Sequence, residues 1–443
     1  MRPKAPENSL SQYELFKTKL STFLNSRHPL IMMSDQMDWN FFDSKFGLVF
    51  SDQGRPALST RLMVALFYLK QSYSLSDEAL IAGFLENPYW QYFCGFEYFQ
   101  HQFPCDPSSM TRWRNRLGES GCEHLLKETI RLARENNILK ESELKEVIVD
   151  TTVQEKAITF PTDAKLLNRA REKLVMAAKF RRIDLRQSYS RVGKYLFLKQ
   201  SGYAHAKQFK RSDRVVSKLR TFLGRVLRDV QRKCPEPDKE LQTLMDLSWR
   251  AYRQKKQDSQ KLYSLHEPFV DCLAKGKAGK PYEFGCKTSV VLTAKSNWVI
   301  GVKSFHQNPY DGKTLKPAIL AAEQITEVAI QNIFVDRGYR GSQHWPEGKQ
   351  VFLSGRRKLQ KRLKKLLKRR SAIEPVIGHL KSDHRLKRNL LKGILGDHVN
   401  GILAGSAFNF KKILNHFRIL CLHFFQLFKL QNLYLRFTLT LKV

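Results

Sequence analysis

The sequence predicts an α/β protein in which a mixed β-sheet is flanked by helices. Short β-branched and aromatic segments, one at residues 146–150 and several within residues 281–354, indicate strands. Apolar residues at three- to four-residue spacing before residue 140 indicate helices. Between about residues 160 and 270 the chain is helical in pattern and strongly basic. The order of strand, helical insertion, hairpin, helix, strand, strand and helix lets the acids of two strands lie side by side at one end of the sheet.

The composition indicates a polyanionic partner. Lys and Arg total 77 against 41 Asp and Glu, a formal net charge of +36, which is far more than solubility requires. The seven cysteines are widely spaced without a CxxC pair or zinc-finger spacing, so we expect reduced thiols in a cytoplasmic, nucleoid-associated protein. Residues 1–16 show no export signal. The apolar stretch at residues 417–437 carries four basic side chains, which favours a packed helix or an interfacial tail over a membrane-spanning helix.

The N-terminal part, residues 1–140, is expected to be an all-helical DNA-binding domain of helix-turn-helix type. Apolar periodicity runs through Leu58–Tyr68, and a second helix is expected at Ser76–Phe84, beginning at a capping serine. A third run, Ser108–Leu117, places three arginines near Trp113. The candidate DNA-binding residues of this part are Arg112, Arg114 and Arg116.

The core, residues 141–415, is expected to begin with the strand Glu146–Asp150, which ends on its acid and is not followed by further strand. The helical insertion then occupies about residues 160–270, broken at Cys234–Pro237, before the strands resume. The later elements are a hairpin of Pro281–Ala294 and Trp298–Phe305, a helix at Pro317–Ala329, a strand at Asn332–Asp336 and a further strand at Lys349–Ser354. Residues 416–443 form an apolar, aromatic C-terminal tail.

Asp150 and Asp336 are candidate catalytic residues because both terminate hydrophobic strands, IVD and FVD. Carboxylates are the ligands that Mg²⁺ prefers, and divalent ions activate the attacking oxygen and stabilise the leaving oxygen in phosphodiester transfer. An Asp at a strand end is also an ordinary turn or capping residue. Asp311, in an Asn-Pro-Tyr-Asp-Gly turn, is a rival second acid.

Glu374 is the third candidate acid. Arg370, Glu374 and Lys381 fall at positions i, i+4 and i+11, so on one helix the acid would be flanked by two phosphate-binding cations. The alternative is structural, because Ser371-x-x-Glu374 is also a capping box.

The basic run Arg356–Arg370 has leucines at helical spacing and cations at most other positions. Such a run is usually a solvated amphipathic helix; next to a catalytic helix we expect it to contact the DNA backbone, through Lys364 and Lys365 among others.

The stretch Asp150–Lys165 (DTTVQEKAITFPTDAK) resembles the signature around the first catalytic Asp of bacterial insertion-sequence DDE transposases, specifically the family five branch. Later segments are similar to that family in the same order. They are Tyr263–Gly285, Phe305–Leu315, FVDRGYRG at Phe334–Gly341 and IEPVIGHLKSDHRLKRN within Ile373–Phe410. The resemblance spans about residues 53–410 and implies an RNase H-like core of the retroviral-integrase superfamily, with a DDE triad at Asp150, Asp336 and Glu374.

Related branches also carry a Tyr-x2-Arg-x3-Glu-x6-Lys signature. Arg370, Glu374 and Lys381 keep this register, whereas Leu367 stands where the Tyr would be. The tail after about residue 415 does not resemble the family's usual ending.

The resemblance and the charge together predict a transposase that binds the terminal inverted repeats of an insertion sequence and then cleaves and joins DNA strands. The expected cofactor is Mg²⁺, with Mn²⁺ as a substitute, held by Asp150, Asp336 and Glu374. The expected partners are the element ends, the target DNA and a second copy of the chain, in a dimer or higher oligomer, with no membrane. Alternatives are a metal-dependent nuclease of the same fold and a non-catalytic DNA-binding remnant or repressor.

Overall fold

The computed structural model describes residues 17–47, 57–277, 279–356 and 358–440 of the 443-residue chain. Residues 1–16, for which the sequence predicts no export signal, lie outside these ranges. Within the described ranges, eight α-helices precede the first strand. They are α1 (Leu20–Phe23), α2 (Pro29–Gln36), α3 (Trp39–Phe46), α4 (Thr60–Ser72), α5 (Asp77–Glu86), α6 (Pro88–Phe93), α7 (Ser108–Glu135) and α8 (Glu141–Leu144). Gly118 interrupts α7 with a left-handed φ of 64°, a conformation that its missing Cβ permits.

The centre of the fold is a seven-stranded mixed sheet. Its strands are β1 (Glu146–Lys156), β2 (Asp271–Lys277), β3 (Lys280–Thr293), β4 (Val299–Phe305), β5 (Asn332–Val335), β6 (Gln350–Leu353) and β7 (Arg388–Asn389). The main order is β2-β3-β1-β5-β6, with β4 paired to β3 and β7 paired to β1. Strands β2, β3, β4 and β1 pair in antiparallel fashion, whereas β1, β5 and β6 are parallel. The mixed sheet and the β3–β4 hairpin confirm the sequence prediction.

The prediction that the first strand ends at Asp150 is wrong. Strand β1 continues to Lys156, because the β-branched residues Thr151–Val153 extend its antiparallel ladder with β3. Only the parallel pairing of β1 with β5 stops early, with Ile148 opposite Phe334 as its last pair. Asp150 therefore lies in the middle of a strand but just past the end of a parallel ladder.

The helices after the hairpin also differ from the prediction. They are α13 (Asp311–Thr326), α14 (Lys361–Lys368), α15 (Ile373–Ser382) and α16 (Gly393–Thr440). The expectation that the first of these begins at Pro317 is wrong: α13 starts six residues earlier, with Asp311 in its first turn and Pro317 inside it. The proline removes one backbone hydrogen bond, and the preceding turn packs its Thr314 and Leu315 side chains into the protein interior.

The region predicted as a helical insertion forms four helices with a hydrophobic core of their own. They are α9 (Asp163–Phe180), α10 (Ser190–His205), α11 (Phe209–Lys233) and α12 (Lys239–Arg253). Leu174, Leu223 and Leu241 are fully buried within this core, which is separate from the main one. Residues from both ends of the insertion, including Thr162 and Tyr263, line one cavity of about 310 Å³, so the chain leaves and returns at neighbouring points.

The N-terminal helices, the sheet and α16 share the main hydrophobic core. The ring of Tyr68 on α4 stacks on Phe410 of α16 at a centroid distance of 4.8 Å. The tail predicted for residues 416–443 continues α16 to Thr440. Within the described ranges, no helix has the length and apolar character needed to span a membrane.

A buried ion network fixes the far end of β1. Lys156 Nζ lies 2.8 Å from Oδ1 of Asp397 and 3.3 Å from Oε2 of Glu267, and all three side chains are buried. Asp397 belongs to the first turns of α16, and Glu267 lies where the chain returns from the insertion. The network therefore joins the strand that carries Asp150 to the insertion and to α16.

Candidate active site

Asp150 and Asp336 occupy equivalent positions on neighbouring parallel strands. Each lies two residues beyond the last residue pair of the β1–β5 ladder, in which Ile148 is opposite Phe334. The N–H of Thr151 donates to Oδ1 of Asp150 at 2.8 Å. Asp336 follows β5 directly, and its Oδ1 accepts from the N–H of Gly338 at 2.8 Å. The parallel pairing thus brings both acids to the same edge of the sheet.

Asp311, the rival acid, lies close to the same edge. Its Oδ1 accepts a hydrogen bond from the hydroxyl of Thr151 at 2.9 Å and another from Nζ of Lys287 at 2.9 Å. A Cβ placed on Gly338 would lie 3.0 Å from Oδ1 of Asp336 and 3.3 Å from Oδ2 of Asp311, so this glycine fits between the two carboxylates. Lys287 neutralises Asp311, whereas no Lys or Arg among the described residues forms an ion pair with Asp336.

The electrostatics at Asp150 reflect this crowding of carboxylates. Burial, together with the negative charges of Asp336 and Asp311, raises the pKa of Asp150 to about 6. The Thr151 N–H and the Arg370 guanidinium oppose this effect without cancelling it. Asp150 therefore ionises at a higher pH than an ordinary aspartate does.

Tyr339 is a part of the site that the sequence did not single out. Its side chain is fully buried, and burial, followed by the charges of the three aspartates, raises its pKa well above the ordinary value. A buried, neutral phenol therefore lies close to the acid cluster. The sequence signal that could have indicated Tyr339 is an aromatic residue in a turn with two glycines, directly after the acid of the FVD strand.

Glu374 is linked to the other acids through Arg370. Nη1 of Arg370 lies 3.4 Å from Oδ2 of Asp150, and Nη2 lies 3.6 Å from Oε1 of Glu374. Glu374 is the second residue of α15, and its side chain is 67% exposed. A guanidinium therefore stands between the third predicted acid and the first.

Two expectations about this segment are wrong. Arg370 does not share an α-helix with Glu374 and Lys381, because residues Arg369–Ala372 form a 3₁₀ turn between α14 and α15. The capping box does not form either, since Ala372 is the N-cap of α15 and the hydroxyl of Ser371 donates to the carbonyl of Lys368 at 3.4 Å. The turn places Pro375 in the first turn of α15, where a proline is tolerated.

The donor chemistry of this edge suits a hard divalent cation, because Asp150 and Asp336 present carboxylate oxygens beside a desolvated, crowded charge. The third predicted ligand is not beside them, since Glu374 faces Arg370 instead. Across the described ranges, no three His, Cys, Asp or Glu side chains are grouped so that they could hold a metal ion. The two aspartates thus supply oxygen donors of the kind that such an ion prefers, and Arg370 lies between Asp150 and Glu374.

The structure divides the predicted DNA-binding cations into three groups by their exposure. Arg112 and Arg116 on α7 and Lys364 and Lys365 on α14 are exposed, Arg370 and Lys381 are partly buried, and Arg114 is only 7% exposed. Helical spacing could have shown this difference, because residues 112 and 116 lie on one face of the helix and residue 114 on the opposite one. Arg114 instead packs over the ring of Phe67, with 5.6 Å from its guanidinium carbon to the ring centroid. Arg357, within the basic run, lies outside the described residues.

Comparisons with known proteins relate this chain to transposases. A family model described as a transposase domain (DUF772) matches residues 18–116. The chain is 46% identical over 209 residues to the uncharacterized protein ORF8 in the nfe locus of Rhizobium meliloti, an alignment that covers 47% of this chain and 100% of that protein. No solved structure matches the chain. The chain therefore belongs to the same family as this Rhizobium meliloti protein, and its N-terminal domain indicates that the family is one of transposases.

Proposed function

We propose that the protein is a DDE-type DNA transposase of the insertion-sequence family five branch, with Asp150, Asp336 and Glu374 as its catalytic acids. The observation that carries the proposal is the equivalent placement of Asp150 and Asp336 beyond the last pair of a parallel two-strand ladder. The transposase domain at residues 18–116 and the net charge of +36 support DNA as the substrate. The order of antiparallel and parallel strands supports an RNase H-like core.

In the proposed reaction, water cleaves a phosphodiester at the element's terminal inverted repeat, and the freed 3′-hydroxyl attacks target DNA by direct transesterification. Mg²⁺, or Mn²⁺ in its place, would be held by Asp150, Asp336 and Glu374 and would supply the positive charge that activates the attacking oxygen and stabilises the leaving one. The protein's own contribution is positioning and electrostatic stabilisation.

Arg370 has a definite part in this scheme. Before DNA binds, its guanidinium reduces the repulsion around Asp150 and holds Glu374 at a distance. A DNA phosphate is a strong partner for a guanidinium, because the two groups form charge-assisted hydrogen bonds. Transfer of Arg370 to such a phosphate would free Glu374 to complete the acidic site.

Cations on three elements are proposed to hold the DNA backbone. They are Arg112 and Arg116 on α7, Lys364 and Lys365 on α14, and Lys381 on α15. Since two element ends must be joined in one reaction, we propose that the protein acts on DNA as a dimer or higher oligomer in the bacterial cytoplasm.

The test is cleavage and strand transfer on a labelled duplex that carries the element's end, with Mg²⁺ or Mn²⁺. Asp150→Asn, Asp336→Asn and Glu374→Gln should each abolish product and leave duplex binding intact. Asp311→Asn is the matched control, because Asp311 borders the same edge but is neutralised by Lys287. If Asp336→Asn is active and Asp311→Asn is inactive, Asp311 and not Asp336 is the second catalytic acid.

The same assay separates the two alternatives. A nuclease of the same fold would give cleaved ends but no joined product. The pairing of Glu374 with Arg370 favours a second alternative, a DNA-binding repressor without catalysis, which would bind the ends and yield neither product with either metal.

A further inference from the structure

A cavity of about 540 Å³ lies where the N-terminal helices meet the segment that follows α15. One wall comes from α4, α5 and α7, and the other from residues 385–392 and the first turns of α16. None of the three candidate acids borders it. The cavity is therefore distinct from the acid cluster of the candidate active site.

The charge of the lining residues is strongly positive. Five cations line the cavity against two carboxylates, Asp77 and Glu78, which gives a net formal charge of +3. The cations are Lys70, Arg114, Arg385, Arg388 and Lys392. Lys70 forms an ion pair with Asp77, and Arg385 donates to the backbone carbonyls of Ser74 and Leu75, so these two cations are held against the wall.

Arg114 is the buried charge at the base of the cavity. It is 7% exposed, and the hydrogen bond from its Nη2 to the hydroxyl of Thr111 is long, at 3.4 Å. In the described part of the chain, no carboxylate lies within ion-pair distance of its guanidinium. Burial lowers the pKa of Arg114, and the charge of Arg385 lowers it too; the carboxylate of Asp77, which is paired with Lys70, opposes this shift without cancelling it. A buried cation of this kind is destabilising unless an anion is bound beside it.

We propose that this cavity is a phosphate-binding site that takes a phosphodiester group of the DNA backbone. Arg114 contacts the phosphate from below, and Arg388 and Lys392, which are exposed at the mouth, contact it from the sides. Leu390 and Leu395 are exposed apolar side chains beside these cations, and they pack against the deoxyribose. The identification of DNA as the source of the phosphate rests on the proposed function.

The position of the cavity relative to the acids supports DNA. In the parallel pairing of β1 with β7, Arg388 is opposite Glu155, which is five residues after Asp150 on the same strand. Five residues of strand span about 16 Å, which corresponds to roughly five base pairs of B-form DNA. One duplex can therefore extend from the acid cluster to the cavity.

The first experiment uses inorganic phosphate as the probe and the full-length protein. Phosphate should raise the Tm of the wild type more than chloride does at equal ionic strength, because a ligand that binds the folded state stabilises it. The double variant Arg388→Ala/Lys392→Ala should lose this increment, and Arg114→Gln should lose it too. The double variant removes only exposed side chains, so the test stands even if Arg114→Gln fails to fold.

Lys387→Ala is the matched control, because Lys387 is exposed and adjacent to Arg388 but does not line the cavity. It should keep the full phosphate response. Equal responses of the wild type to phosphate and chloride, or a loss in Lys387→Ala as large as in the double variant, would overturn the proposal.

The second experiment distinguishes DNA from free phosphate. Binding of a fluorescent duplex is followed by anisotropy over a series of salt concentrations, without divalent metal. The double variant should bind the duplex more weakly. The slope of log affinity against log salt concentration should become shallower by about one unit for each DNA phosphate that the protein no longer neutralises. Lys387→Ala should stay close to the wild type in both. If the double variant loses the Tm response to phosphate but keeps the salt-dependence slope of the wild type, the assignment to DNA is overturned. Neither readout involves cleavage, so a protein that passes both tests but never cuts DNA contradicts the proposed function alone.

Discussion

Nη1 of Arg370 lies 3.4 Å from Oδ2 of Asp150, so a cation of the protein already faces the carboxylate proposed to bind metal. A divalent ion at Asp150 must compete with this guanidinium. We predict that Arg370→Gln binds Mn²⁺ several-fold more tightly than the wild type at pH 8, as measured by isothermal titration calorimetry. Loss of Arg370 also favours protonation of Asp150, but at pH 8 this carboxyl, with its pKa near 6, remains largely ionised.

The matched control for that variant is Arg369→Gln. Arg369 lies in the same 3₁₀ turn, but its guanidinium donates to the carbonyls of Ala294 and Lys295 and not to an acid. Its Mn²⁺ affinity should equal that of the wild type. Weaker Mn²⁺ binding in Arg370→Gln than in Arg369→Gln would show that Arg370 supports the metal site.

Metal binding is also predicted to depend on pH through Asp150. Burial and the neighbouring aspartates raise the pKa of this carboxyl to about 6, and a metal binds only its ionised form. Mn²⁺ affinity should therefore be constant above about pH 7 and fall by up to tenfold for each pH unit below 6. Replacing Asp311 with Asn removes one negative neighbour, lowers the pKa of Asp150 and should shift the midpoint to lower pH. A profile that is flat between pH 5 and 7 would contradict this prediction.

The sequence predicted the elements whose signals are local. The β3–β4 hairpin and the break at Cys234–Pro237 follow from alternation, turn residues and prolines, all read within a few positions. The true end of β1 was not predictable in this way, because Thr151 and its neighbours remain in the strand through pairing with β3, more than a hundred residues later. The β-branched residues favour a strand, but how far the strand runs is set by this long-range pairing.

The candidate site shows the same division. The FVD and IVD patterns indicated Asp336 and Asp150, but no pattern showed that Arg370 would leave the α-helix and pair with Asp150 across 220 residues of sequence. Lys287, which neutralises Asp311, could not be predicted because its role arises only when the strands assemble, whereas Tyr339 had a local signal in the turn after Asp336.

The buried network at the far end of β1 predicts a large stability effect. Lys156→Met leaves Glu267 and Asp397 buried without their cation, and the free energy of unfolding should fall by about 3–5 kcal/mol. Urea denaturation followed by circular dichroism measures this loss. Adding Glu267→Gln and Asp397→Asn to the same protein should recover part of it, because neutral amides do not repel each other. A loss below about 1 kcal/mol would contradict the role given to Lys156.

The separate core of the insertion predicts local unfolding. Leu223 on α11 is fully buried within that core, and Leu223→Ala should cost about 2–5 kcal/mol there. Hydrogen exchange followed by mass spectrometry should show faster exchange in α9 to α12, with strands β1 and β3 as protected as in the wild type. Leu292→Ala, at a fully buried position of β3, is the control that should speed exchange in the sheet. Equal acceleration in both regions by Leu223→Ala would mean that the two cores unfold together.

The neighbouring ends of the insertion have a consequence for how such proteins diversify. Because the chain departs near Thr162 and returns near Tyr263 beside the same small cavity, the four helices are attached to the sheet much as a loop is. Over evolutionary time such a segment can lengthen, shrink or be exchanged while the strand register around Asp150 stays unchanged. Lineages of this family can therefore change what surrounds the candidate site without altering the acids proposed to act there.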